Sequence, residues 1–200
     1  MMPRNHPDIP TSFESRRLHL RSYCPGDGPC YYAVGLRNRE HLLRYESDNI
    51  VMQLRSEQDA EDTVRELAEL WEKRKSFFIG GFDKSNQQFV VQVYVGLING
   101  DLPEYQIGFF VDRGYEGQSY VTEAVRATLE FIFHYLEAHR VSAECDETNT
   151  RSIRVLERCG MVREGSLREN RRNADGSISG TLHYGLLKQE FDDLHRQMTM

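Results

Sequence analysis

The chain has no apolar run near the roughly 20 residues that a membrane-spanning helix needs, and Arg4, Asn5, His6 and Asp8 leave its first segment without the apolar core of a signal peptide. A cytoplasmic protein with no membrane contact is therefore expected. Cysteine is scarce, with Cys24, Cys30, Cys145 and Cys159 the only four and none in C-x-x-C spacing. Cys145 and Cys159 fall on apolar faces, as buried reduced thiols do, and the Pro-Gly-Asp-Gly-Pro between Cys24 and Cys30 reads as a loop. Without H-E-x-x-H or a second cysteine pair, no metal is expected. No G-x-x-x-x-G-K-[ST] occurs, which counts against a nucleotide-binding P-loop. Positive charge is short as well. The net charge of −6 argues against a nucleic-acid partner and is compatible with a cationic or amine substrate. With no internal repeat, low-complexity tract or linker, the 200 residues read as one domain long enough to bury a core.

What is present alternates between strand-like and helix-like patterns. A polar lead-in over residues 1–15 is expected to be loose, with the domain proper over 16–192. A strand is expected from Arg16 to Tyr23 and a helical region from about Cys30 to Arg44. Ala60, Val64, Leu67 and Trp71 recur at helical spacing within Gln58 to Lys75, and Glu57, Asp59, Glu61 and Asp62 suit the positive end of that helix. Strands follow at Phe77 to Phe82, Phe89 to Asn99 and Tyr105 to Val111, the first two joined by the turn Asp83-Lys84-Ser85-Asn86. A helix over Ser119 to Ala138 carries Val121, Val125, Leu129, Ile132 and Leu136 on one stripe. Asp175-Gly176 reads as the turn of a hairpin with arms Val162 to Glu169 and Thr181 to Leu187. This pattern predicts an α/β fold, a mixed central sheet with helices on both faces.

Two stretches carry chemistry. Tyr115-Glu116-Gly117-Gln118-Ser119-Tyr120-Val121-Thr122-Glu123 joins an apolar strand directly to an amphipathic helix. The first N–H groups of a helix have no intrahelical partner and sit at the positive end of its dipole, so this junction suits a phosphate or pyrophosphate. Further on, Asn149 to Met161 reads as a short helix with polar groups at its start. Asn149 is a favoured N-cap, Ser152 stands three residues on, and Gly160 falls at the C′ position.

Strand, phosphate turn, long helix, the strand Arg140 to Cys145 and the N-x-x-S helix together resemble the GNAT superfamily of N-acetyltransferases, and within it the RimJ/RimL branch. The likeness is strong from about Ile107 to Gly165. Where members typically read Y-Q-G-K-G-Y-A-T-E-A, this chain has Glu116, Ser119 and Val121 as departures. The resemblance implies the GNAT fold and acetyl-CoA as co-substrate. It implies transfer of the acetyl group to a primary amine, a protein N-terminus or a small molecule, by direct attack in a ternary complex. Phe110 and Val111 are then expected against the acetyl and pantetheine portions, and Glu116, Gly117, Gln118, Ser119, Tyr120 and Val121 around the pyrophosphate. Asn149 and Ser152 would meet the cofactor arm and the departing sulfur. A homodimer is compatible with such a chain, and a non-catalytic acyl-CoA-binding module of the same fold is the alternative.

Other residues carry two readings. Asn149 and Ser152 serve equally as a helix cap. Tyr184 is a candidate general acid, since a phenol of pKa about 10 can protonate a thiolate, or a core aromatic of its strand. Glu104 and Glu147 are candidate bases or plain surface carboxylates. Family members often carry an aspartate where this chain has Gly180. Seven arginines lie between residues 151 and 172, against Glu157, Glu164 and Glu169. Of these, Arg154 is the candidate for the 3′-phosphate, or part of a solvated helix face. Glu116 in the phosphate turn is expected to repel pyrophosphate by roughly 0.5 to 2 kcal/mol, unless an arginine such as Arg113 pairs with it.

Overall fold

Phe77, Ile79, Val91, Val93, Val95, Tyr105 and Ile107 recur at every second position, so each strand can bury one side. In the computed structural model, which describes residues 9–199, all seven lie in one apolar cluster. In chain order the elements are β1 (Ser12–Glu14), β2 (Leu18–Ser22), α1 (Gly28–Leu42), α2 (Glu57–Glu72), β3 (Ser76–Asp83), β4 (Phe89–Asn99) and β5 (Glu104–Val111), then α3 (Tyr120–Tyr135), β6 (Arg140–Asp146), α4 (Thr150–Arg158), β7 (Val162–Arg172), β8 (Ile178–Leu187) and α5 (Lys188–Thr199). The strands form one sheet in the order β1-β2-β3-β4-β5-β6-β8-β7, antiparallel except between β5 and β6. No helix among the described residues is long and apolar enough to cross a membrane.

Two apolar clusters form. One joins α3, through Val125, Leu129 and Ile132, to Leu18, Leu20 and the alternating strand residues. The other joins α1 and α2, through Tyr31, Val34, Ala60, Val64 and Leu67, to Tyr23, Phe82, Phe89 and Phe110. Ser56 caps α2 by accepting from the Asp59 N–H at 3.1 Å. At the far end of that helix, Trp71 meets Phe77 edge-on and Phe131 at a tilt.

The ends of the chain differ from expectation. Ser12–Glu14, read as part of a loose lead-in, pairs with β2 and stacks Phe13 on Phe131 at 5.1 Å. Three residues show no period, so only this tertiary contact defines the strand. The looseness expected of residues 1–8 falls outside the described residues. After β8 the chain continues as α5, whose Phe191 packs on Phe133 at 4.6 Å.

Two features position the site. First, β5 and β6 pair only from Glu104↔Arg140 to Ile107↔Ala143. Beyond that, β5 stays with β4 as far as Val111 and β6 stays with β8 as far as Asp146, so the two strands part and a wedge opens. Second, the junction from β5 to α3 turns through left-handed backbone at Gly117 (φ +72°) and Ser119 (φ +63°). Glycine adopts this conformation freely, but a Cβ is crowded there. Ser119 precedes the first helical residue without a side-chain capping bond. It therefore carries the strain with no local return. Ser119→Gly should stabilise the protein by about 1 kcal/mol and raise its Tm by about 2 to 4 °C. Thermal unfolding measures this directly, and an unchanged or lower Tm would mean that Ser119 carries no strain.

Candidate functional site

Three neighbouring cavities follow the wedge and share walls. The middle one, about 500 Å³, lies between Phe109, Phe110 and Val111 of β5 and Asn149, Arg151, Ser152 and Val155 at the start of α4. His41, Tyr45 and Glu46, from the end of α1 and the loop after it, line its mouth. A second cavity of about 570 Å³ adjoins it through Val111, Glu116, Val121, Arg151 and Val155, and adds Gly117, Ser119, Tyr120, Arg154 and Arg158. The third, about 480 Å³, opens on the other side through Tyr45, Glu46, Phe109 and Phe110, and adds Phe78, Gln92, Tyr94 and Arg171.

In the second cavity the start of α3 presents donors. From Gly117 to Thr122 the backbone N–H groups have no intramolecular partner among the described residues, the first helical bond running from Glu123 N to Ser119 O at 3.2 Å. Unpaired donors at the positive end of a 16-residue helix are suited to an anion. Long-range contacts hold this end in place. Glu123 accepts from Ser15 Oγ at 2.7 Å, from Arg17 N at 2.6 Å and from Arg17 Nε at 2.7 Å. The Arg17 guanidinium covers the Tyr120 ring at 3.8 Å, and Tyr120 Oη donates to Asp83. On the strand side, the short turn at Arg113–Tyr115 is tied to α1. Buried Asn38 accepts from Arg113 N at 2.8 Å and donates to Asp112 at 3.1 Å.

α4 supplies the opposite wall. Asn149 Oδ1 accepts from Ser152 N at 3.1 Å, so its capping role is real, while the Ser152 hydroxyl has no partner among the described residues and borders the middle cavity. The turn before the helix is fixed by Asp146, 3% exposed, which accepts from Thr148 N at 2.8 Å and from the Ser179 hydroxyl. Burial alone would raise its pKa, but the hydroxyl and N–H donors outweigh this and hold the carboxyl low. At the C-terminal end of the helix, Gly160 (φ +84°) takes the left-handed C′ conformation.

The structure thus brings together Phe110, Val111, Glu116, Gly117, Ser119, Tyr120, Val121, Asn149, Ser152 and Arg154 around two adjoining cavities. Gln118 borders none of the three. Its side chain folds back to Gly114 O at 3.1 Å, and its carbonyl receives Arg17. Tyr184 also stands apart, 1% exposed within β8, with burial foremost among the causes that raise its pKa. Glu104 is taken up by Arg140 at 2.8 Å and Glu147 by Gly180 N at 2.7 Å, and neither lines any of the three cavities. Cys24 and Cys30 are free thiols, and among the described residues no cluster of His, Cys, Asp and Glu is arranged to hold a metal.

The expectation for Glu116 needs correcting. Its carboxylate is neither unpaired nor matched with Arg113, which reaches towards Glu40 at 3.8 Å. Arg151 donates to it from α4, and His41 Nε2 lies 3.2 Å away on α1. Sequence spacing pointed to neither partner, because α1 and α4 meet the turn only through the fold. His41, Tyr45 and Glu46 were missed for the same reason, since they follow no motif.

Asp83 is held down to about 2, first by its bonds from Ser85 and then by the one from Tyr120. A carboxyl with a depressed folded pKa contributes stability that is complete above its unfolded value, about 4, and is lost as pH falls through the folded value. Asp83→Asn should therefore lower stability at neutral pH and flatten its decline between about pH 4 and pH 2. Urea unfolding across that range tests this, and an unaltered pH dependence would show that Asp83 does not anchor α3 through its charge.

Comparison with known proteins matches this arrangement to a family. The model of the Acetyltransferase (GNAT) domain covers residues 17–162. A probable N-acetyltransferase of Bacillus subtilis, YjcK, is 35% identical over 108 residues, 54% of this chain, and the chain spans 60% of the length of that relative. Among solved structures, ribosomal-protein-S5-alanine acetyltransferase from Vibrio fischeri superposes with a TM-score of 0.79 at 21% identity, over 91% of this chain and 99% of its own. RimL, the ribosomal L7/L12 alpha-N-protein acetyltransferase in complex with coenzyme A, superposes with a TM-score of 0.78 at 17% identity, over 90% and 97%. At these identities the superpositions establish the fold. The match of the family model over most of the chain, on a wedge sheet with an anion-binding turn, places this protein in the GNAT acetyltransferase family.

Proposed function

We propose that the chain is an acetyl-CoA-dependent N-acetyltransferase of the RimJ/RimL type, passing the acetyl group directly to a primary amine within a ternary complex in the cytoplasm. The observation that carries this reading is the alignment of the open wedge with a run of unpaired N–H groups at one end and a free hydroxyl, Ser152, in its wall. The chemistry of the donors fits the cofactor. N–H groups of Gly117 to Thr122 would hold the pyrophosphate, with Arg151 and Arg154 beside them, and the parted edge of β5 from Gly108 to Val111 would hold the arm.

Bound acetyl-CoA supplies a thioester carbonyl open to a neutral amine. An α-amino group, of pKa about 7.7 to 8.0, is partly neutral near pH 7, whereas lysine at about 10.4 needs a base. A protein N-terminus is accordingly the favoured acceptor class, with a small amine beside it. Backbone donors of β5 freed by its parting from β6 would stabilise the charge that develops on the carbonyl oxygen, and the Ser152 hydroxyl would donate to the leaving sulfur. Donors that act only on developing charge raise the rate more than the affinity.

Coenzyme A and acetyl-CoA should raise the Tm, since a ligand bound to the native state stabilises by mass action, while ATP and NAD should do much less. Equal shifts with all three would remove the specific claim. Thiol release from acetyl-CoA over a panel of peptide N-termini and small amines then separates an enzyme from a silent acyl-CoA-binding module.

Ser152→Ala should lower kcat by about 100-fold or more while leaving acetyl-CoA affinity close to that of the native protein. Asn149→Ala should in addition cost about 1 kcal/mol of stability through loss of the cap. Full turnover in Ser152→Ala, read by steady-state kinetics, would restrict the serine to a structural part.

A further inference from the structure

The middle and third cavities meet at a carboxylate that none of the family motifs includes. Glu46 follows α1, lines both cavities and is half-buried. Its side chain has one hydrogen bond, from Asn49 Nδ2 at 3.2 Å, and no cation within ion-pair distance among the described residues. The charged groups facing it are Asp48 on the same loop and Arg171 from β7, whose guanidinium is directed to the Tyr45 carbonyl at 3.2 Å. His41, Glu40 and Arg44 border the middle cavity elsewhere on its rim.

A half-buried carboxylate with no ion pair is costly, and protonation or a cation arriving from outside relieves the cost that the Asn49 bond and the charge of Arg171 leave. One side of the third cavity is aromatic, with Phe78 and Tyr94 in contact at 4.9 Å and Phe109 shared with the middle cavity, while Asp48, Gln92 and Arg171 line the rest. A charged group at the inner end and an aromatic surface around it make a receptor for an ammonium ion carried on an apolar body.

We propose that Glu46 receives the ammonium group of the acceptor amine in the third cavity and takes a proton from it before the nitrogen attacks. This rests on the acetyl-transfer reading. The position is right for it: Glu46, Phe109 and Phe110 line both the recess and the middle cavity that Ser152 borders, and the recess shares no residue with the cavity at the start of α3, so a nitrogen at Glu46 would enter the wedge from the other side. The protons balance. Of the three on the ammonium, one passes to Glu46 and on to solvent, one leaves the nitrogen as the C–N bond forms and the C–S bond breaks and ends on the departing sulfur, and one stays in the amide. Burial raises the Glu46 pKa, against the Asn49 bond and Arg171, which strengthens it as a base. Glu104 and Glu147, the other candidate bases, line neither of these two cavities and are engaged by Arg140 and Gly180 N.

The test uses phenethylamine and a peptide amide with an N-terminal phenylalanine as acceptors, with 2-phenylethanol as the uncharged control. Glu46→Gln should keep acetyl-CoA affinity, measured by calorimetry, which verifies the fold. It should lower kcat/KM at neutral pH by about 100-fold. The loss should shrink as pH rises towards the pKa of the amine, because solution then supplies the neutral form, and Glu46→Asp should retain part of the rate. In calorimetry on the protein saturated with coenzyme A, the native chain should prefer phenethylamine to 2-phenylethanol by about tenfold, and Glu46→Gln should lose that preference. If the native chain acetylates amines and Glu46→Gln equals it at every pH, the role of Glu46 is overturned and acetyl transfer stands. If no amine is acetylated but the preference and its loss are seen, acetyl transfer fails and the ammonium site stands.

Discussion

Everything in this site depends on two neighbouring strands ceasing to pair. After Ile107↔Ala143 each strand has a better partner on its other side, β4 for β5 and β8 for β6, and these ladders run on for several residues. Buried Asp146 holds β6 to its course at the point of divergence, through Ser179 on β8 and the turn at Thr148. On the opposite side Asp112, with Asn38 and Arg37 of α1, holds the end of β5. The edge groups freed between them would be a liability inside a closed core, where every buried N–H and C=O needs a partner. In an open wedge, water or a ligand can serve them. The wedge is therefore kept open from outside, by hydrogen bonds at its two rims.

The start of α3 follows the same logic. A helix with a good N-cap satisfies its own first donors, and this one does not: Ser119 offers no capping bond and sits in left-handed backbone. What fixes the helix instead are contacts from distant parts of the chain, Arg17 and Ser15 through Glu123 and Asp83 through Tyr120. These act on side chains and leave the backbone donors at the tip free. Local instability and a strong anion site are two sides of one arrangement, because capping the helix from within would consume the donors that a phosphate needs.

Much of this was legible in the sequence where the signal was local. The bounds of β4 coincide with the expected Phe89 to Asn99, and the caps of α4 at Asn149 and Gly160 follow from residue type and spacing. The mixed sheet and the sharp junction from β5 to α3 were readable for the same reason. What escaped depends on contacts between residues far apart in the chain. β1 exists because Phe13 finds Phe131, and α5 is tied down by Phe191 on Phe133. Glu46 carries no pattern at all. It becomes notable only when the fold sets it between two cavities without an ion pair among the described residues. Glu104 and Glu147, equally plausible in one dimension, turn out to have partners already.

The departures from the family motif can be judged in the same physical terms. Val121 is half-buried and adds apolar wall to both the first and second cavities without blocking the free N–H groups. Ser119 adopts the glycine-like conformation at the expense of strain, so the turn keeps its path. Glu116 is the departure with most effect on a ligand, since it lies where the two cavities meet. Its charge is offset by Arg151 of α4, and His41 of α1 approaches it from the other side. Because Arg151 is 72% exposed, that pair contributes little to stability. A pyrophosphate carries more charge than the one carboxylate and binds the same kind of donor. A phosphate bound here would need only to take over the Arg151 guanidinium already held at the turn, so the glutamate that would repel an anion by its charge also holds in place a group that an anion can use.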